Sequence, residues 1–227
     1  METRVSFREE LRDLEEQALG GLDMVVITLR RTMEALQHQD VELAEMVIVD
    51  DDRIDGRYLE VHQGILSLLA RQAPVATDLR LVAALLDVIK HVERMGDQCV
   101  NIAKLIPITG HEPPVDNALL GTLLEMGKHA ASLVEQSKRA FADRNVELAE
   151  DLVARDEAIN RMQRDAFRMA IEVGENADAR EWAMTMLLVA RAIERIGDNA
   201  VDIGEQTAFV VTGLFREFTD ASHPAQV

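Results

Sequence analysis

The chain of 227 residues carries 24 Lys and Arg against 41 Asp and Glu, a formal net charge of −17. Nucleic-acid binding draws its affinity from cationic side chains that displace phosphate counterions, so this balance excludes a DNA or RNA reader. With 48% hydrophobic residues the chain still buries a core, so the acidity marks a charged surface or acidic sites and not a disordered acidic tail.

The five prolines stand at Pro74, Pro107, Pro113, Pro114 and Pro224, and the long stretches between them suit long helices. From Phe7, apolar residues recur at Leu11, Leu14, Ala18, Leu22, Val25, Leu29 and Leu36 in steps of mostly three or four, behind a capping box expected at Ser6 and Glu9. A second helix is expected from an Asp40 cap to Ala70, and a third from a Thr77 cap to the stop at Pro107. Past the stretch Pro107-Ile-Thr-Gly-His-Glu-Pro-Pro114, further helices are expected over 115–142, 146–173 and 178–215. Strand periodicity is absent, and the reading is all-α.

The chain also repeats itself. Val41-Glu-Leu-Ala-Glu45 returns unchanged as Val146-Glu-Leu-Ala-Glu150, and Glu93-Arg-Met-Gly-Asp-Gln-Cys-Val-Asn-Ile102 returns as Glu194-Arg-Ile-Gly-Asp-Asn-Ala-Val-Asp-Ile203. Six helices therefore divide into two similar three-helix bundles: residues 1–107, a linker over 108–114, and residues 115–216, with a disordered tail over 217–227. Each bundle is thin, and the two are expected to pack together. The single cysteine, Cys99, cannot form an intramolecular disulfide. The N-terminal residues lack the apolar core of a signal peptide, and the longest apolar runs fall well short of the roughly 18 residues that span a bilayer. A cytoplasmic protein without direct membrane insertion is expected.

The chemistry sits in the repeated segments. The third helix of each repeat carries a Glu followed four and eight residues later by oxygen-bearing side chains: Glu93, Asp97 and Asn101, then Glu194, Asp198 and Asp202. Residues four apart stack on one helix face. The second helix of each repeat adds a pair, Asp51 with Asp55 and Asp156 with Asn160, so each bundle offers four carboxylates and one amide. A solvated acidic face is the ordinary explanation, but register argues against it. At about 100° per residue, Glu93 lies on the line of Leu79, Val82, Leu86, Ile89 and Val100, and Asp51 and Asp55 fall among Ala44, Val47, Tyr58, Ile65 and Leu69. Asp97 is at the edge of the apolar arc, and Asn101 drifts toward the polar face.

Carboxylates at core positions repel one another and resist desolvation, so they call for cations. Carboxylate clusters without local cysteine suit iron, manganese, magnesium or calcium rather than a structural zinc. The Glu-x-x-His pairs of di-iron bundles are absent. Gly96 and Gly197 sit mid-helix beside the acidic pairs, where a glycine costs about 1 kcal/mol relative to alanine, which points to close approach of a neighbouring helix or an ion. Arg94 and Arg195 adjoin the site glutamates and read as surface ion-pair partners. His62 and Cys99 read as packed residues. No Gly-rich phosphate loop, Cys-x-x-Cys or supported nucleophile triad appears, so a non-enzymatic protein is expected.

These motifs resemble the PhoU family, regulators associated with bacterial phosphate-specific transport, whose hallmark is a twice-repeated Glu/Asp-x-x-x-Asp on long helices. Here it stands as Glu93-Arg-Met-Gly-Asp97 and Glu194-Arg-Ile-Gly-Asp198, and Asp78-Leu-Arg-Leu-Val82 resembles the family's stretch ahead of it. The resemblance covers almost the whole chain. It implies two three-helix bundles, metal clusters on the acidic motifs, a homodimer, and a cytoplasmic negative regulator of phosphate uptake and phosphate-starvation signalling. The partners it implies are the ATPase subunit of the phosphate ABC transporter and a phosphate-responsive sensor histidine kinase. Asp51 and Asp156 match the family's acidic position in the second helix, whereas Asn101 and Asn160 are amides within the pattern. A metal-dependent phosphatase and an accessory protein of a different phosphate carrier are the alternative functions.

Overall fold

A computed structural model describes residues 2–109, 118–173 and 176–218. Among them are seven α-helices and one 3-10 turn, and no strand. The helices are α1 (Glu2–His38), α2 (Val41–Asp50), α3 (Asp52–Arg71), α4 (Thr77–Leu105), α5 (Ala118–Asp143), α6 (Val146–Glu172) and α7 (Ala177–Thr212), with the turn at Ile106–Ile108. No helix among the described residues is long and apolar enough to cross a membrane.

The two repeats begin their second helices in the same way. Gln39 and Arg144 take left-handed backbone at φ 52° and 53°, closing the preceding helix as a residue beyond the C-terminus commonly does. Asp40 and Asn145 then cap the next helix, each side chain accepting from the backbone N–H three residues on, Leu43 and Leu148. Asn176 caps α7 by accepting from the Ala179 N–H.

Several boundaries differ from expectation. Ser6 lies inside α1, where its hydroxyl donates to Glu10 and not to the helix start, so it forms no capping box. Thr77 is the first helical residue, and the N-cap is Ala76 at φ 45°. The helix expected to run unbroken from Asp40 to Ala70 is interrupted at Asp51, whose backbone stays helical at φ −63° while its carbonyl accepts from both Ile54 and Asp55. The break falls on one of the candidate site carboxylates. Within the expected linker, Ile108 ends the 3-10 turn and the Thr109 hydroxyl donates to Gln39, while 110–114 lie outside the described residues. Of the expected tail, Phe218 packs against the core and donates its N–H to the buried Glu205 carboxylate at 2.7 Å, and residues 219–227 lie outside the described part.

The helices form two layers. One holds α3, α4, α7 and α6 side by side, and α1 and α5 cover it from behind. The bundles meet along antiparallel pairs. Arg30, Asp23 and Glu15 of α1 bind Glu135 and Lys138 of α5 and Arg144 just beyond it, and the Arg80 side chain near the start of α4 lies against Gly213 at the end of α7. His91 of α4 bonds Asn199 of α7 at 2.7 Å and approaches Asp202 at 3.5 Å. That register sets Gly96 level with Gly197 and relates the repeats by an approximate twofold axis normal to the front layer. Both repeated acidic motifs therefore open on the same face.

One apolar core continues through both bundles, including Leu22, Leu29, Ile65, Ile89 and Met95 from the first and Leu123, Phe141, Ile159 and Ile193 from the second. A shared core couples the halves, so thermal unfolding is expected as one transition. Ile89→Ala, at a fully buried position, is expected to lower stability by about 2–5 kcal/mol without splitting that transition. Two resolved calorimetric transitions in the native protein would contradict the shared core.

Candidate metal centres

The first cluster forms where the kink between α2 and α3 meets the middle of α4. Asp51 reaches toward Gly96, and a Cβ built on that glycine would stand 2.8 Å from Asp51 Oδ1 and 3.1 Å from Ile54. The glycine is what lets the carboxylate lie against the α4 backbone. Asp51 Oδ1 is buried with no hydrogen-bond partner. Its carboxyl is pushed up to about 6, first by desolvation and then by the charges of Asp55, Asp97 and Glu93. Glu93 is half-buried and likewise raised, by desolvation and then by Asp97 and Asp55, against a lowering pull from Arg94 and Lys90. Asp55 and Asp97 act on both Asp51 and Glu93, which places the four in one electrostatic group.

The second cluster repeats this arrangement between α6 and α7. A Cβ on Gly197 would collide with Asp156 Oδ1. Asp156 and Glu194 are each only 7% exposed, and Asp156 Oδ1 and Glu194 Oε2 are buried without partners. Asp156 is pushed up to about 6 by desolvation and by Asp198, with Asn160 pulling the other way through a 2.8 Å hydrogen bond from its amide to Asp156 Oδ2. Glu194 is raised by desolvation and by Asp198, and its other oxygen accepts from Arg191. Asp198 stands at the mouth, raised by desolvation and by Asp202 and lowered by Arg191 and Arg195.

Seven of the ten predicted site residues thus fall into two carboxylate groups, Asp51, Asp55, Glu93 and Asp97 in one and Asp156, Glu194 and Asp198 in the other, and Asn160 joins the second through its bond to Asp156. Asn101 is exposed on α4 and enters no contact with the first group. Asp202 leans instead toward His91 of the other bundle. Two residues matter here that the sequence reading did not single out for these roles. His91 is buried and ties the repeats together. Arg191, not Arg195, is the cation on Glu194, and its place three residues before that glutamate is the helical spacing that signals such a pair.

Unsatisfied buried carboxylate oxygens carry the full desolvation cost of a polar group without a partner. Hard cations take oxygen ligands, and the orphaned atoms Asp51 Oδ1, Asp156 Oδ1 and Glu194 Oε2 are donors of that kind. The donor set fits such an ion. Among the described residues, however, no three Asp, Glu, His or Cys side chains converge on a single point as they stand, so binding requires side chains to turn inward.

The chain matches the PhoU domain family twice, over residues 22–106 and 123–207. It is 30% identical to the "Phosphate-specific transport system accessory protein PhoU homolog" of Clostridium acetobutylicum over 220 residues, 96% of this chain and 100% of that protein. Its fold matches the crystal structure of the phosphate transport system regulatory protein PhoU from Streptococcus pneumoniae with a TM-score of 0.85 at 26% identity, covering 93% of this chain and 99% of that one. PhoU from Pseudomonas aeruginosa gives a TM-score of 0.84 at 26% identity, covering 92% of this chain and 100% of that one.

The geometry separates two classes of glycine. Nothing lies within 4 Å of a Cβ built on Gly20 in α1, so Gly20→Ala is expected to raise stability by about 0.4–1 kcal/mol. Gly197→Ala is expected to lower it, because the added methyl displaces Asp156; equal melting temperatures for the two variants would contradict that contact. The raised Asp51 and Asp156 also set a pH dependence. Their folded values near 6 exceed the ordinary aspartate value, so folding opposes their ionisation, and the penalty is complete above the folded value and relieved as pH falls through it. Chelator-treated protein is expected to melt higher at about pH 5 than at about pH 7.5, and a lower melting temperature at the acidic end would contradict the assignment.

Proposed function

This chain belongs to the PhoU family, and on that premise we propose that it is a cytoplasmic, non-enzymatic negative regulator of phosphate uptake and phosphate-starvation signalling. It acts by docking on the ATPase subunit of a phosphate ABC transporter and on a phosphate-responsive sensor histidine kinase, and it works as a homodimer. The observation that carries this reading is the pair of acidic clusters, built twice by duplication and opened on one face of the front layer.

Bound iron, manganese or magnesium would neutralise charge at the two clusters and fix the kinked α2–α3 rod and α6 against α4 and α7. Asp51, Asp55, Glu93 and Asp97 would hold the ions of the first cluster, and Asp156, Glu194 and Asp198, with Asn160 at the edge, those of the second. Asn101, exposed on α4, and Asp202, turned toward His91, would join only after their side chains turn inward. Neutralising these groups changes the charge of the docking face without altering the fold, which is how a compact helical protein turns ion occupancy into partner affinity.

Deleting the gene and following a phosphate-starvation reporter in high phosphate tests the regulatory role. The reporter is expected to switch on and phosphate uptake to rise, and an unchanged reporter and uptake rate would reject the proposal. Metal analysis of gently purified protein tests the clusters: the native chain is expected to retain iron, manganese or magnesium, and a variant with Glu93, Asp97, Glu194 and Asp198 changed to Ala is expected to lose it. Equal metal contents in the two would reject the site assignment.

A further inference from the structure

The two clusters are not equivalent, and the difference lies in one side chain. At the second cluster the Arg191 guanidinium donates to Glu194 Oε1, with the arginine side chain 54% exposed and the glutamate side chain buried. The guanidinium thus reaches in from solvent onto a buried carboxylate whose other oxygen, Oε2, has no partner. Asn160 holds Asp156 Oδ2 in the same cluster, leaving Asp156 Oδ1 unpartnered. At the first cluster the corresponding residues differ. Lys90 stands where Arg191 does, exposed and acting on Glu93 only through space, and Asp55 replaces the amide of Asn160. The first cluster therefore presents four carboxylates with no cation in contact with Glu93, and the second presents three with a guanidinium already seated on one of them.

Resting on the reading that these clusters hold metal, we propose that Arg191 is a built-in competitor for the second cluster, occupying Glu194 until a metal cation displaces it. Two positive groups do not share a buried carboxylate pair at close range without repulsion, and a guanidinium held by one short contact from a half-exposed arm leaves at modest cost. The consequence is ordered loading. The first cluster fills at low metal concentration, the second fills only when metal is more abundant, and its filling releases a guanidinium onto the face shared by both clusters. Arg195, one turn further along α7, acts on Glu194 through space and makes no hydrogen bond to it, so it is the control for charge alone.

The test is a titration of metal-stripped, full-length protein with Mn²⁺, followed by calorimetry and by the electron paramagnetic resonance signal of free Mn²⁺. The native chain is expected to show two classes of site. Glu194→Gln with Asp198→Asn is expected to remove the weaker class, and Glu93→Gln with Asp97→Asn the tighter one. Arg191→Gln is expected to tighten the weaker class by about tenfold and leave the tighter class unchanged, with Arg195→Gln giving a clearly smaller effect. Equal effects of the two arginine variants, a weaker class unmoved or loosened by Arg191→Gln, or a single class of identical sites in the native protein would each overturn the proposal. Absence of Mn²⁺ binding at either cluster would reject the metal reading itself and the proposal with it.

Discussion

The structure depends on mutual repulsion that the fold holds in place. Asp51 and Asp156, from a bent and a straight second helix, are pressed against the backbone of a third helix, where desolvation and the charges of neighbouring carboxylates raise both. Three of their oxygens are buried without a partner. A fold of helices gains nothing from such groups in isolation, since an apolar side chain at the same positions would pack without penalty. On the proposed reading, cations entering the clusters would make the arrangement favourable, and the acidity at these points would then serve binding.

Duplication makes the arrangement work twice on one surface. Antiparallel packing of α4 on α7 sets the two glycines level, and the approximate twofold axis turns both openings to the same side. The glycines are the geometric condition. At each, a methyl group would press on the aspartate oxygen, so the absence of a side chain lets the second helix of each repeat bring its carboxylate up to the third. Substitution has since made the copies unequal: Asp55 answers to Asn160, Lys90 to Arg191, and Asn101 to Asp202. The last of these exchanges gave the second repeat a carboxylate that approaches His91, a polar contact between bundles that the first repeat's Asn101 does not reproduce.

Much of this was legible in the residue order. Helix spacing and sparse glycine and proline located the helices, and the returning Glu-Arg-x-Gly-Asp located the two acidic clusters, because period and identity are properties of sequence itself. The core register of Glu93 and Asp51 was legible for the same reason, and Asn101 fell on the polar face as its angle indicated, whereas Asp55, expected beside Asp51 among core positions, is exposed. Helix ends were less so. Ser6 and Thr77 carry cap chemistry, but α1 begins ahead of the first and α4 starts at the second, with Ala76 in left-handed backbone. The break at Asp51 had no signal in glycine or proline, since it arises where an acidic segment turns toward α4. The partners of His91 and Arg191 depend on distances between elements far apart in the chain, which periodicity does not encode.

In the working protein the proposed cations would stabilise the buried carboxylates. Differential scanning calorimetry of the native chain near neutral pH, with and without a strong chelator, tests it most directly. A ligand held only by the folded state at a hundred times its dissociation constant adds about 2.7 kcal/mol per site, and in a domain of this size each kcal/mol moves the midpoint by roughly 2–4 °C. A fall of several degrees on chelation is expected in the native protein, with no change in the variant with Glu93, Asp97, Glu194 and Asp198 replaced by Ala. A native melting temperature indifferent to the chelator would contradict it.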